Sequence, residues 1–246
     1  MAIVNHQHTD SGILQITLNN HAMRNALSIK MFDALGEAIE QANTQTKCVL
    51  LKGEGVVFCS GFDMKACAGN LPLLEQYILR LTTLIRTLRR LSAPVVVAAH
   101  GAAIAGGCAI LTGCDFVIGS QVAKYGYPVH RIGISPAVTI PTLFQKLGEG
   151  RARTLILSGE IIDGSDAYAI GLLSHLVETD KQAIVTANEL AEALAQKPPI
   201  ALQATKRWLN ELDGSLDDER FDKPAKQSAS ALGEETEKML NQLWNK

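Results

Sequence analysis

Two segments bring together residue types and spacings that could do chemistry. The first is Val57-Phe58-Cys59-Ser60-Gly61-Phe62-Asp63-Met64-Lys65, a glycine-bearing loop that follows a short apolar stretch. The second is His100-Gly101-Ala102-Ala103-Ile104-Ala105-Gly106-Gly107-Cys108-Ala109, in which an apolar run passes through glycines into a small-residue helix. The start of a helix leaves backbone N–H groups without intrahelical partners and carries the positive end of the dipole. Glycine lets another group approach the backbone closely. Two such backbones side by side could form an oxyanion hole from N–H groups alone. The same glycines also serve the tight packing of a small-residue helix, and spacing alone leaves both readings open.

Other site types have no support. No G-x-G-x-x-G follows a strand, no G-x-x-x-x-G-K-[ST] occurs, and neither Ser60 nor Ser135 completes G-x-S-x-G. The six histidines, His6, His8, His21, His100, His130 and His175, are scattered without metal-ligand spacing. No metal is expected. His6 and His8 read as part of a mobile N-terminus.

The elements that must position these segments alternate. Ile13–Leu18 reads as a strand, and Ser28 as the N-cap of a helix carrying Met31, Leu35, Ile39 and Ala42. Cys48–Leu51 is a short buried strand and Leu71–Leu91 a long helix stopped by Ala93-Pro94. Val95–Ala99 and Phe116–Ile118 are buried strands, with a helix over Cys108–Thr112 between them. Ser135-Pro136 opens another helix. Asp163–Ile170 is a capped helix stopped by Gly171, and Ser174–Val177 a last strand. Helices follow over Lys181–Gln196, Pro199–Leu212, Leu216–Leu232 and Glu234–Trp244. Alternating strands and helices followed by a helical tail make an α/β chain, divided here into a core over 1–195 and a helical region over 196–246. The tail is too small to bury a core of its own, so Trp208 and Trp244 read as packing anchors at helix or subunit contacts.

The chain has 246 residues, 47% of them hydrophobic, and a formal charge of −2, enough for a sizeable core and unlike a disordered segment. Near-neutral charge argues against a dedicated nucleic-acid binder. No run approaches the ~20 apolar residues that span a bilayer, and Met1–His6 lacks a basic-then-apolar leader, so no membrane partner is expected. The five cysteines are odd in number and none forms C-x-x-C, which fits packed thiols in a reducing cytoplasm.

Taken in order, the motifs resemble those of the crotonase (enoyl-CoA hydratase/isomerase) superfamily. Asn19–Leu27 resembles N-R-P-x-x-x-N-A-L, and Phe58–Met64 resembles F-x-[AS]-G-x-D-[LIM]. Gly101–Cys108 resembles G-x-x-x-G-G-G-x with Ala105 in place of the first of three glycines. Cys114-Asp115, Tyr127–Gly133 and Leu157–Leu172 resemble C-D, x-P-E-x-x-L-G and L-[ST]-G…A…G-L. The match runs from about Ile13 to Val177.

The resemblance implies a spiral of ββα repeats with a C-terminal helical trimerisation region, in a homotrimer or a hexamer built as a dimer of trimers. It implies an enzyme of acyl-CoA thioesters, in fatty acid metabolism, needing no cofactor beyond the coenzyme A of its substrate. The backbone N–H donors become Phe62 and Gly106. Coenzyme A and substrate would lie along Ala22, Arg24, Ser60, Asp63, Met64, Ile104, Gly107 and Pro128.

The chain departs from the family where hydratases carry two glutamates: those positions hold Ala109 and Val129. Neither side chain moves a proton, and each lost acid–base group costs about 10²–10⁴ in rate. Standard two-glutamate hydration is therefore not expected. His130 is the candidate replacement base, and Asp63 reads as a loop cap. The alternatives are a lyase or isomerase with a rebuilt proton path, a different thioester reaction such as hydrolysis or carbon–carbon cleavage, and a catalytically silent acyl-CoA-binding subunit.

Overall fold

The computed structural model describes the backbone of residues 2–244 and side chains through residue 242. The chain opens with an antiparallel pair, β1 (Val4–His8) and β2 (Ile13–Leu18). His6 and His8 are therefore exposed residues of an ordered edge strand, not of a mobile terminus, with His6 opposite Ile16 and His8 opposite Leu14. Only Val4 of that strand is buried, and a single inward side chain is a weak sequence signal.

After a 3-10 turn at His21–Met23 comes α1 (Ile29–Ile39), whose first turn is closed by Ser28 Oγ accepting from the Met31 N–H at 3.2 Å. β3 (Cys48–Gly53) leads through the glycine loop to the short α2 (Met64–Cys67) and the long α3 (Leu71–Arg90). β4 (Val95–Ala98) and β5 (Ala102–Ile104) then precede α4 (Gly106–Thr112), and β6 (Phe116–Ser120) and β7 (Lys124–Gly126) follow. Two 3-10 turns, Pro128–Ile132 and Ala137–Thr139, come before α5 (Ile140–Leu147), so Ser135-Pro136 opens a tight turn and the α-helix starts later. α6 (Glu149–Ser158), β8 (Ile161–Asp163), α7 (Gly164–Ala169), β9 (His175–Val177) and α8 (Asp180–Ala195) complete this part.

A six-stranded sheet runs in the order β1-β2-β3-β4-β6-β9, and a three-stranded sheet in the order β5-β7-β8. All pairs of the larger sheet after β1–β2 are parallel. Successive turns of the chain thus place a strand in the larger sheet, a strand in the smaller one and then a helix, as β4-β5-α4 and β6-β7-α5 do.

Both faces of the inner strands of the larger sheet are buried, which is why β3 and β4 read as apolar runs. Leu14, Ile16, Val49, Leu51, Val95 and Val97 point into one apolar cluster with α1 and α3. Their neighbours Ile13, Leu50, Val96 and Ala98 point into a second, covered by Ala183, Ala187, Ala191 and Leu194 of α8. The alanines recur every fourth residue, and that small face seats the helix on the sheet.

The chain ends in α9 (Pro199–Leu212), α10 (Glu219–Ser230) and α11 (Glu234–Trp244). α9 is tethered to the core by Lys206, whose ammonium donates to Asp115 Oδ2 at 2.7 Å and Ala93 O at 2.9 Å, while that same carboxylate oxygen accepts the Val95 N–H at 2.7 Å. α10 lies on α3, held by Arg86–Asp222 at 3.0 Å and Arg90–Asp218 at 2.7 Å. Ser228 Oγ accepts the Val138 N–H at 3.0 Å, and Thr236 Oγ1 donates to Gly133 O at 2.8 Å. The last helices therefore brace the two 3-10 turns of their own chain. Trp208 is 64% exposed; the side chain of Trp244 lies outside the described residues.

Candidate active site

The glycine loop is fixed on both sides by backbone hydrogen bonds. On one side Phe58 N–H donates to His100 O at 2.9 Å, Cys59 N–H to Ala102 O at 3.1 Å, and Ile104 N–H to Cys59 O at 3.0 Å. On the other, Ser60 N–H donates to Arg24 O at 3.1 Å, Leu27 N–H to Gly61 O at 2.8 Å, and Asp63 N–H to Leu27 O at 3.0 Å. In that parallel bridge Leu27 bonds the residues before and after Phe62, so the Phe62 N–H is turned away from Leu27. The Phe62 N–H and the Gly106 N–H at the start of α4 have no hydrogen-bond partner among the described residues.

The two donors are brought close by residues without side chains. Gly61 has φ +97°, and a Cβ there would lie 2.9 Å from Ile104 O and 3.6 Å from Gly106 N. The edge of the Phe62 ring covers Gly106, where an added Cβ would meet it at 3.1 Å. That ring is in turn held edge-on by Tyr77, with centroids 5.4 Å apart. Ala105 occupies φ 51°, ψ −113°, a conformation suited to glycine, and turns the chain from β5 into α4.

Asn25 holds the whole arrangement and was not singled out by sequence reasoning. It is fully buried at φ 54°. Its Oδ1 accepts the Asn20 N–H at 2.9 Å, and its Nδ2 faces the carbonyls of Glu54, Val57 and Phe58 at 2.9, 3.0 and 3.1 Å. One side chain thus joins the turn at His21–Met23 to the loop that carries Phe62. The available signal was the asparagine of the N-A-L motif at Asn25–Leu27, a residue tolerant of left-handed backbone, between the turn and α1.

A cleft of about 740 Å³, including its mouth, opens beside the two N–H groups. Of the expected site residues, Ser60, Phe62, Met64, Ile104, Gly106 and Pro128 line it, as do Ala109 and Val129. Gly107 does not; it packs on the Cys59 backbone, where a Cβ would lie 2.4 Å from the carbonyl oxygen. Ala22 and Arg24 are exposed, joined to the cleft through the Arg24–Ser60 bond. Asp63 caps α2, its Oδ1 accepting the Ala66 N–H at 3.3 Å. His130 is exposed, outside the lining, with its Nδ1 toward Gly159, so the fold does not bring it together with Phe62 and Gly106.

The cleft is apolar. Its polar side chains are Ser60, Tyr127, Ser135 and Thr139; no carboxylate, histidine, lysine, arginine or cysteine lines it among the described residues. Burial pushes the Tyr127 hydroxyl well above its usual pKa, so it stays protonated, 3.3 Å from Thr139 Oγ1. Burial likewise pushes the Cys59 and Cys108 thiols up to about 12, so neither is a thiolate at neutral pH. No group of three or more metal-binding side chains occurs among the described residues.

This is the architecture of the crotonase fold, and the chain belongs to the enoyl-CoA hydratase/isomerase family, whose sequence profile matches residues 8–228. Among relatives, an enoyl-CoA hydratase of Mycobacterium tuberculosis is 33% identical over 217 residues, covering 85% of this chain and 80% of its own. The 1,2-epoxyphenylacetyl-CoA isomerase of Escherichia coli is 30% identical, covering 87% and 86%. An enoyl-CoA hydratase/isomerase structure from Xanthobacter autotrophicus superposes with a TM-score of 0.87 at 24% identity, over 97% of this chain and 91% of that one. The chain is thus of a family of acyl-CoA enzymes that contains both hydratases and isomerases.

Proposed function

We propose that this chain binds an acyl-CoA thioester with its carbonyl oxygen between the Phe62 and Gly106 N–H groups. The observation that carries the reading is the pair of unpartnered backbone donors, fixed by the loop bonds and opening on an apolar cleft. Preorganised donors of this kind stabilise an enolate or tetrahedral oxyanion by about 3 kcal/mol each. Coenzyme A extends past Ser60 toward Ala22 and Arg24, with no further cofactor.

With Ala109 and Val129 in the cleft wall, the protein supplies no carboxylate to place water on a double bond or to deliver a proton to the α-carbon. Two-glutamate hydration is therefore slow or absent. Proton transfer in a different thioester reaction comes from substrate or water. A second reading, an acyl-CoA-binding subunit without turnover, is favoured by the same lack of titratable side chains in the lining.

The assembly we propose is a homotrimer, or a hexamer of two trimers, in the cytoplasm. Ile200, Trp208, Leu209 and Leu212 of α9 are each more than half exposed on one chain, and such an apolar set suits contact with a second copy. Five free, buried thiols fit a reducing compartment.

The test is a paired assay with crotonyl-CoA, titration calorimetry for binding and loss of enoyl absorbance for hydration. Binding without hydration is expected. Fast hydration would overturn the proton-transfer argument, and failure to bind crotonyl-CoA or free coenzyme A would overturn the thioester reading.

A further inference from the structure

An apolar wall of the cleft is built by Ile78 and Leu81 of α3 with Ile132, Ile134 and Val138 of the segment that holds the 3-10 turns. Ile78, Leu81, Ile134 and Val138 are at most 6% exposed. The wall is closed from behind by its own chain: Thr82 Oγ1 donates to Phe221 O at 3.3 Å, and Ser228 holds the Val138 N–H. No charged side chain lines the cleft among the described residues; of those adjacent in sequence to the lining, Asp63 caps α2, Arg80 pairs with Asp33, and Lys65, His130 and Arg131 are exposed outside the lining.

We infer that the cleft selects acyl groups that are uncharged hydrocarbon chains, rewards their length, and rejects a chain ending in a carboxylate. This rests on the thioester reading above. Burying a methylene gains about 0.8 kcal/mol, which is roughly fourfold in affinity. A carboxylate carried into this wall loses its water and meets no cation. Its desolvation goes unrepaid, a penalty of roughly 100-fold or more in affinity.

Calorimetric titration with acetyl-, butyryl-, hexanoyl-, octanoyl- and adipyl-CoA tests this. Affinity is expected to rise roughly fourfold per methylene through hexanoyl-CoA, and adipyl-CoA to bind at least about 100-fold more weakly than hexanoyl-CoA. An Ile132→Lys variant, at a half-buried position of the turn, is expected to narrow that gap by offering the carboxylate a cation. A flat chain-length series, adipyl-CoA binding like hexanoyl-CoA, or an unchanged gap in the variant would overturn the inference. If acetyl-CoA and free coenzyme A bind while the series is flat, only the acyl selectivity fails. If none of the thioesters binds, the thioester reading fails with it.

Discussion

Replacing Asn25 by aspartate changes one NH₂ group to an oxygen and almost nothing in shape. The Oδ1 bond to the Asn20 N–H survives, and aspartate tolerates the left-handed backbone at φ 54°. What is lost is the donor facing Glu54 O, Val57 O and Phe58 O, all within 3.1 Å. In its place stands a carboxylate oxygen against three carbonyl oxygens in a fully buried site. Two donated bonds are worth about 1 kcal/mol each, and an unpaired buried charge alone costs about 3–5 kcal/mol when its partner is removed. The expected loss is about 3–5 kcal/mol at pH 8, read as a shift of the urea midpoint at unchanged slope. Burial and the three carbonyls raise the pKa of the new carboxyl in the folded state above its unfolded value of about 3.9. The folded state then binds the extra proton more tightly, so stability falls as pH rises from the unfolded pKa through the folded one. The deficit relative to the parent should therefore shrink toward pH 4 and be full above the raised value. A loss below about 1 kcal/mol at pH 8, or a deficit that does not ease in acid, would refute the view that this amide holds the loop.

Ala105→Gly should stabilise the protein. Relief of a strained φ 51°, ψ −113° backbone is worth about 1–3 kcal/mol and the added chain entropy of glycine costs about 0.5–1 kcal/mol. A melting temperature raised by about 2–4 °C is the expected readout. All five cysteines are free and buried, with thiols pushed up to about 12, by burial first in each case. A maleimide or disulfide reagent at pH 8 should label none in the native protein and all five after unfolding. Because their folded pKa values lie above the unfolded one, their contribution to stability is present below about pH 8.5 and is lost as pH rises toward 12. Lys206→Ala should cost about 2 kcal/mol by leaving Asp115 without its cation beside the Val95 N–H, and Lys206→Ala with Asp115→Asn should recover much of it in denaturant melts.

The sequence was legible where side chains carry the pattern. Ser28, the apolar run Val95–Ala98 and the long helix of Leu71–Arg90 each announce themselves by capping, burial or period. Illegible were the three-residue strands Ala102–Ile104, Lys124–Gly126 and Ile161–Asp163, which are too short for any period. They exist because a neighbour across the small sheet completes their backbone bonds. The Phe62 and Gly106 positions were reached by motif, since a backbone N–H leaves no mark in residue type. Their geometry depends on Asn25, Gly61 and the Leu27 bridge, which are decided by contacts distant in the chain. His130 is the instructive contrast. Adjacent to Val129 in sequence, it is still outside the cleft, because the 3-10 turn sends neighbouring side chains in different directions. Position beside Val129 in sequence is no substitute for position on the wall. The function proposed for this cleft therefore asks of it only what two N–H groups and an apolar surface can do, to hold a thioester by its carbonyl and its chain, and assigns the proton to the substrate or to water.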